Sequence, residues 1–276
     1  MAQSDTSKSI RDITKIIAES GTELSVAALA DFLGVPLGSL GYIVVKNYAN
    51  FLTNSTISKV YDDIMARRVS QREIEKVNIV IDVAEKTFWE LANKDGWDKD
   101  ITYSDYSWEV AEHIMLEAMR QAELNKVKIL GRFYGKTMYE GRTDWNDLHQ
   151  ITSMTGELSF RQLVLIYLIN EDFPNINRNM FISNPHACVE IKQLLQNGIW
   201  ELSGMPFSEN NSAPIQIETI NKTSFAQVVS DSLMLSSIPE NDLQRVIDTL
   251  GITPDGVVEE MLEGEMQKEE IDSYLK

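Results

Sequence analysis

A chain of 276 residues with 43% hydrophobic and 24% charged residues can bury one large helical core or two smaller ones. Its formal net charge of −17 and pI near 4.6 disfavour partners that present phosphate. Cys188 is the single cysteine, which excludes an intramolecular disulfide, and the polar start Met1-Ala2-Gln3-Ser4-Asp5 lacks the basic and apolar regions of a secretory leader, so a cytoplasmic protein is expected.

The first element predicted is a helix with a stripe of Ile10, Ile13, Ile16 and Ile17, stopped at Gly21. The apolar stretch 26–52 follows. Its uncharged core, between Asp31 and Lys46, is too short to cross a bilayer, and Pro36, Gly34, Gly38 and Gly41 interrupt it. It reads as two short buried helices that meet at a bend. Ser70-Gln71-Arg72-Glu73 is a capping box that opens a long helix, with Ile74, Val77, Ile81, Ala84, Phe88 and Leu91 on one stripe.

Residues 94–107 form a polar, aromatic linker and the best candidate boundary. Asp98, Asp100, Thr102 and Glu109 stand at calcium-loop positions, but Tyr103 replaces the turn glycine that such a loop requires. The linker therefore reads as a solvated loop. Beyond it come a helix with Trp108, Ala111, Met115, Met119 and Ala122, and a second with Val127, Leu130, Phe133, Tyr134 and Met138. A third is expected around 144–152, with Trp145 and Leu148. Gly131 to Gly135 has three residues between its glycines where a phosphate-binding loop needs four, and helical spacing continues on both sides. The favoured reading is a helix whose glycines mark a packing contact.

From 158 to about 233 the layout is that of a winged helix. Ser159 and Gln162 form a second capping box before Leu163, Leu165, Ile166 and Leu168. A loop is expected at 170–184 and a helix at 185–200, carrying Val189, Ile191, Leu194 and Leu195. The alternation of Pro214 to Ile220 is a strand signature and the candidate wing. Helical spacing returns at Ser224. Two small helices are predicted at the C-terminus, one over 240–250 and one opened by Thr253 and Pro254.

Charge and shape conflict in this segment. Between 158 and 233 the basic residues are Arg161, Arg178, Lys192 and Lys222, against seven acidic ones. From 239 to 276 eleven acidic residues face three basic ones. A winged-helix shape on an acidic chain points to contact with protein rather than DNA.

No catalytic or metal signature stands out. His113, His149 and His186 are scattered, and His186 with Cys188 lacks a second pair to complete a zinc site. Glu109 and Glu112 flank His113 on one helix, as salt-bridge partners commonly do.

Glu117-Ala118, Lys126, Lys128 and Ile129-Leu130-Gly131-Arg132-Phe133-Tyr134-Gly135, followed by Leu158-Ser159-Phe160-Arg161-Gln162-Leu163, make a pattern over 108–169. It resembles bacterial helical proteins of the abortive-infection or phage-defence accessory type. The resemblance rests on packing residues, implies a bacterial cytoplasmic helical protein, and transfers no catalytic residue.

The expectation is therefore a mainly α protein, a multi-helix bundle with a winged-helix-like module, a small β wing and a short acidic helical tail. Its domains would be 1–95, N-terminal and helical; 96–157, central and helical; 158–236, winged-helix-like; and 237–276, the acidic tail. The expected role is a non-enzymatic sensor or adaptor that binds another protein and needs no cofactor or metal. The alternatives are a winged-helix transcription regulator and a membrane-active effector that uses 26–52. Homo-oligomerisation stays open, as does whether 26–52 is core, interface or membrane-active.

Overall fold

The computed structural model describes residues 64, 66–67, 69–95, 107–141, 145–171, 180–202, 215–216, 220–250 and 252–254. The isoleucine stripe, the apolar stretch 26–52, the calcium-like positions at 98–102 and most of the linker lie outside them. Among the described residues the protein is mainly helical, and no helix is long and apolar enough to cross a membrane. The chain divides into two compact units, 1–158 and 159–276.

Unit 1 has four described helices: α1 (Gln71–Asp95), α2 (Ser107–Arg120), α3 (Leu124–Glu140) and α4 (Trp145–Glu157). The capping box at the start of α1 forms as the sequence predicts. The Ser70 amide donates to Glu73 Oε2 at 2.7 Å, and the Glu73 amide donates to Ser70 Oγ at 3.3 Å. The hydroxyl and amide of Ser70 hold the Glu73 carboxyl below its usual range.

Val77, Val80, Ile81, Ala84 and Phe88 form the buried face of α1. That face meets α3, on which eleven of seventeen residues are buried. The approach is close because α3 offers glycine there. A Cβ on Gly131 would lie 2.8 Å from Val83 Cβ, and one on Gly135 would run into the Ala84 carbonyl oxygen. Phe88 and Tyr139 close the same interface edge to face at 5.9 Å. The glycines are packing residues within a helix.

α2 stops at Arg120, so Ala122 falls outside it and is exposed. α4 runs past the expected end at 152, and the hydroxyls of Thr152 and Thr155 donate to the carbonyls of Leu148 and Ile151 one turn earlier.

In unit 2 the central element is α5 (Phe160–Asn170), with eight of its eleven residues buried. A helix apolar on all sides belongs inside a core. α5 is packed by α6 (Pro185–Gln196), α7 (Ser224–Ser232), a 3-10 turn (Leu235–Ser237) and α8 (Glu240–Ile247). The Ser159–Gln162 capping box opens it in both directions.

Among the described residues five short strands complete the unit: β1 (Met180–Ile182), β2 (Trp200–Leu202), β3 (Ile215–Gln216), β4 (Ile220–Lys222) and β5 (Ile252–Pro254). β1 runs antiparallel between β3 and β5, and β2 pairs antiparallel with β4.

Several expectations are corrected here. The loop over 170–184 contains β1. The helix expected to reach Trp200 ends at Gln196. Gly198, at φ +71°, turns the chain into β2, with its amide on the Leu195 carbonyl and the Ile199 amide on the Leu194 carbonyl. Val189, expected on the apolar stripe of that helix, is exposed. The alternating segment 214–220 divides between two pairings, Ile215 with β1 and Ile220 with β2. Thr253 and Pro254 do not open a helix. They lie in β5, at the edge of the sheet among the described residues, where a proline's missing N–H is tolerated.

The close approach of α1 and α3 is open to test. Glycine to alanine in a helix interior ordinarily stabilises by about 1 kcal/mol. Gly135→Ala is expected to destabilise instead by about 1–3 kcal/mol, because the added methyl meets backbone. Urea unfolding of the full chain reads the sign, and a stabilised variant would mean that the two helices are not in contact at this point.

Candidate functional site

The polar chemistry of unit 1 gathers where α2 meets α4. Helical periodicity brings His113, Glu117 and Gln121 to one side at spacings of four, and does the same for His149, Ser153 and Gly156 at four and three. The imidazoles of His113 and His149 stack with centroids 4.2 Å apart and planes 11° apart. Ser153 Oγ lies 3.4 Å from His113 Nε2 and 3.4 Å from His149 Nδ1. These distances are at the long limit of hydrogen bonding, so the hydroxyl only loosely bridges one ring nitrogen of each histidine.

One turn along α2, the buried carboxylate of Glu117 accepts from the Gln121 amide, with Arg120 Nη1 at 3.6 Å from its other oxygen. It fills the space beside Gly156, where a Cβ would collide with Glu117 Oε1. Lys126, on α3, is only 4% exposed, and its Nζ donates to the Gly156 carbonyl at 2.8 Å. The lysine therefore binds the last turn of α4 while its charge lies near that of Glu117.

Burial is the largest influence on His113 and holds its pKa below the usual histidine value. The neighbouring His149 acts in the same direction, Glu117 and the His149 backbone oppose it, and Arg120 adds to the lowering. Burial also lowers the Lys126 ammonium, against the opposing charges of Glu123 and Glu117. Glu112, expected as a histidine partner, instead accepts from Arg67 Nη2 at 2.6 Å. Among the described residues, no group of three or more His, Cys, Asp or Glu could hold a metal ion.

Unit 2 has a polar cluster of its own. Arg161 Nε lies 2.5 Å from Glu190 Oε2, and Gln162 reaches Gln193 Oε1 at 3.0 Å. Lys192 is buried, and Lys222 Nζ donates to the Asn170 carbonyl at 2.7 Å. Cys188 is fully buried, its Sγ 3.1 Å from the Ile182 carbonyl, and burial pushes its thiol up, away from the reactive thiolate. His186 is exposed on the first turn of α6, so the structure does not bring it together with Cys188 as a ligand pair. The side-chain amide of Asn170 and the indole N–H of Trp200 are buried without hydrogen-bond partners.

Sequence reasoning missed the histidine stack. The signal was present only as spacing: Glu117 four residues after His113, and Ser153 four residues after His149. No protein-family model, no curated protein and no solved structure matches the chain.

Two substitutions probe these clusters. Lys126→Met leaves Glu117 buried beside an uncapped carbonyl and is expected to destabilise by about 1–3 kcal/mol in chemical denaturation. A neutral result would show that the lysine is not held in this seam. Asn170→Leu removes a buried amide whose hydrogen bonds are unmade. It is expected to hold or raise the unfolding midpoint, whereas a marked loss would reveal a partner for the amide.

Proposed function

We propose that this chain is a non-enzymatic interaction protein, a sensor or adaptor that binds another protein in the bacterial cytoplasm. The single observation that carries this reading is what the basic residues of 158–233 do. Arg161 is paired with Glu190, Lys192 is buried, and Lys222 binds the end of α5. Arg178 lies outside the described residues. A DNA-binding surface needs free cations to displace the counterions of the phosphates, and these cations are engaged within their own unit. The exposed side chains of Val189 on α6 and Val228 on α7 supply apolar contact of the kind that a protein partner covers. A role in phage defence follows from the resemblance over 108–169 and belongs to the same proposal.

A winged-helix regulator is the second reading. Its support is the order of α6, whose first turn is exposed, followed by the antiparallel pair of β2 and β4. That order is the one a recognition helix and wing would take.

One experiment separates the two. The tagged full chain is captured from bacteria with and without phage challenge, beside a Val189→Asp, Val228→Asp double variant. The expected result is a stoichiometric protein partner whose affinity falls about tenfold or more in the variant while its circular dichroism is unchanged, a difference of about 1.4 kcal/mol. In parallel, duplex DNA is titrated at low salt. Tight binding that weakens steeply with salt would replace the adaptor reading with the regulator.

A further inference from the structure

A buried polar group that makes no hydrogen bond forfeits the hydration it has in the unfolded chain, so native proteins rarely leave one unpaired. Among the described residues of unit 2, Asn170 and Trp200 depart from this rule. Asn170 is 6% exposed and leaves both Nδ2 and Oδ1 without a partner. Trp200 is 1% exposed and leaves Nε1 without one. Neither side chain takes part in the interaction reading.

Strand register brings the two residues to one place. Trp200 stands opposite Lys222 and Leu202 opposite Ile220, so Trp200, Ile220 and Lys222 share one face of the β2–β4 ribbon. The alternate pair, Glu201 and Asn221, is exposed on the other face. The first face looks onto the end of α5, because Lys222 Nζ donates to the carbonyl of Asn170, the last residue of that helix. The buried indole and the buried amide are therefore both neighbours of one lysine. We propose that the end of α5 and the inner face of the β2–β4 ribbon form a binding site for a small neutral lactam, imide or primary amide. The site does not rest on the adaptor reading, because it is formed within unit 2 and is measured on the chain alone.

The donors and acceptors define the ligand. The Asn170 side chain presents a carbonyl oxygen and an N–H side by side, and its complement is an N–H and a carbonyl on one edge. Lactams, imides and primary amides have that edge. A trans peptide unit holds its N–H and C=O on opposite sides, which excludes an extended peptide. The Trp200 indole only donates, so it takes a second acceptor lone pair. Charge is disfavoured. An anion would meet the negative end of the α5 dipole, and a cation would meet the Lys222 ammonium. The net charge of −17 also repels phosphate-bearing relatives of such compounds.

The test follows the indole N–H resonances of the isotope-labelled full chain by NMR. That of Trp200 is identified by its loss in Trp200→Phe or, where that variant does not fold, by elimination through Trp89→Phe, Trp97→Phe, Trp108→Phe and Trp145→Phe. Succinimide, pyrrolidone and nicotinamide are the probes, one of each kind. Succinimide has an N–H between two carbonyls, one for the Asn170 edge and one for the indole. The expected result is a saturable downfield movement of the Trp200 indole resonance, with the indoles of the other tryptophans unmoved. N-methylsuccinimide keeps both carbonyls and lacks the N–H, and it is expected to bind about tenfold more weakly or worse. The same loss is expected for succinimide with Asn170→Leu, whose retained unfolding midpoint separates lost binding from a lost fold. No saturable movement with any of the three probes overturns the site, as does an equal response in Asn170→Leu. A Trp200 indole in contact with water alone, unchanged by the probes, would make this an internal hydration site and equally overturn the proposal.

Discussion

Unit 1 depends on the close approach of α1 and α3. Two glycines in the middle of a helix cost about 1 kcal/mol each relative to alanine, so α3 is a poor helix by its own propensities. It is stable because removing the side chains at Gly131 and Gly135 lets the α1 backbone approach until Val80, Val83 and Ala84 are in contact with it. Dispersion rises steeply over the last ångström of approach, and the larger residues on either side of the glycines are buried against the neighbouring helix. Val127, Leu130, Phe133, Tyr134 and Met138 are all buried along this helix. α1, α2 and α4 each touch α3, so the surface on which the histidine seam is built depends on that one contact.

A second constraint recurs in both units. Helix C-termini leave carbonyls without partners, and a buried ammonium needs acceptors. Two buried lysines resolve both requirements together, Lys76 on Met119 and Lys126 on Gly156, and exposed Lys222 caps Asn170 in the same way, each at the last turn of a helix. The positive charge also lies at the favourable end of each helix dipole. These lysines are drawn from only 25 basic residues against 42 acidic ones. Burial of Lys76 and Lys126 leaves fewer cations for the outer surface.

What was legible in the sequence was local. Both capping boxes need four consecutive residues, and both form. The apolar positions of α3 and α5 are dense enough that tertiary context only confirms them. The short strands were not legible in the same way. β1 and β5 have three residues each, too few for an alternating pattern, and they pair Met180 with Pro254 across most of unit 2. Thr253 and Pro254 satisfy the rules for a helix start equally well, and only the neighbouring strand decides between the two states. The end of α6 depends on Gly198 in a left-handed conformation, a signal that was visible but placed too close to Trp200. The candidate site failed for a related reason. Periodicity locates a face on α2 and a face on α4 but carries no information about which faces meet, and His113 and His149 are separated by an entire helix.

The histidine seam also shows which electrostatic effect prevails in this chain. A net charge of −17 creates a field that favours protonation everywhere, and on that ground alone every histidine would bind its proton more readily than in a neutral protein. His113 departs in the opposite direction. Surface charges act through water and salt, over a screening length of about 8 Å at physiological ionic strength. Burial removes hydration from the ring itself, and the stacked partner acts at a centroid distance of only 4.2 Å. The nearby influences outweigh the distant ones, although the distant charges are far more numerous. Local desolvation thus keeps one group resistant to protonation inside a strongly acidic molecule.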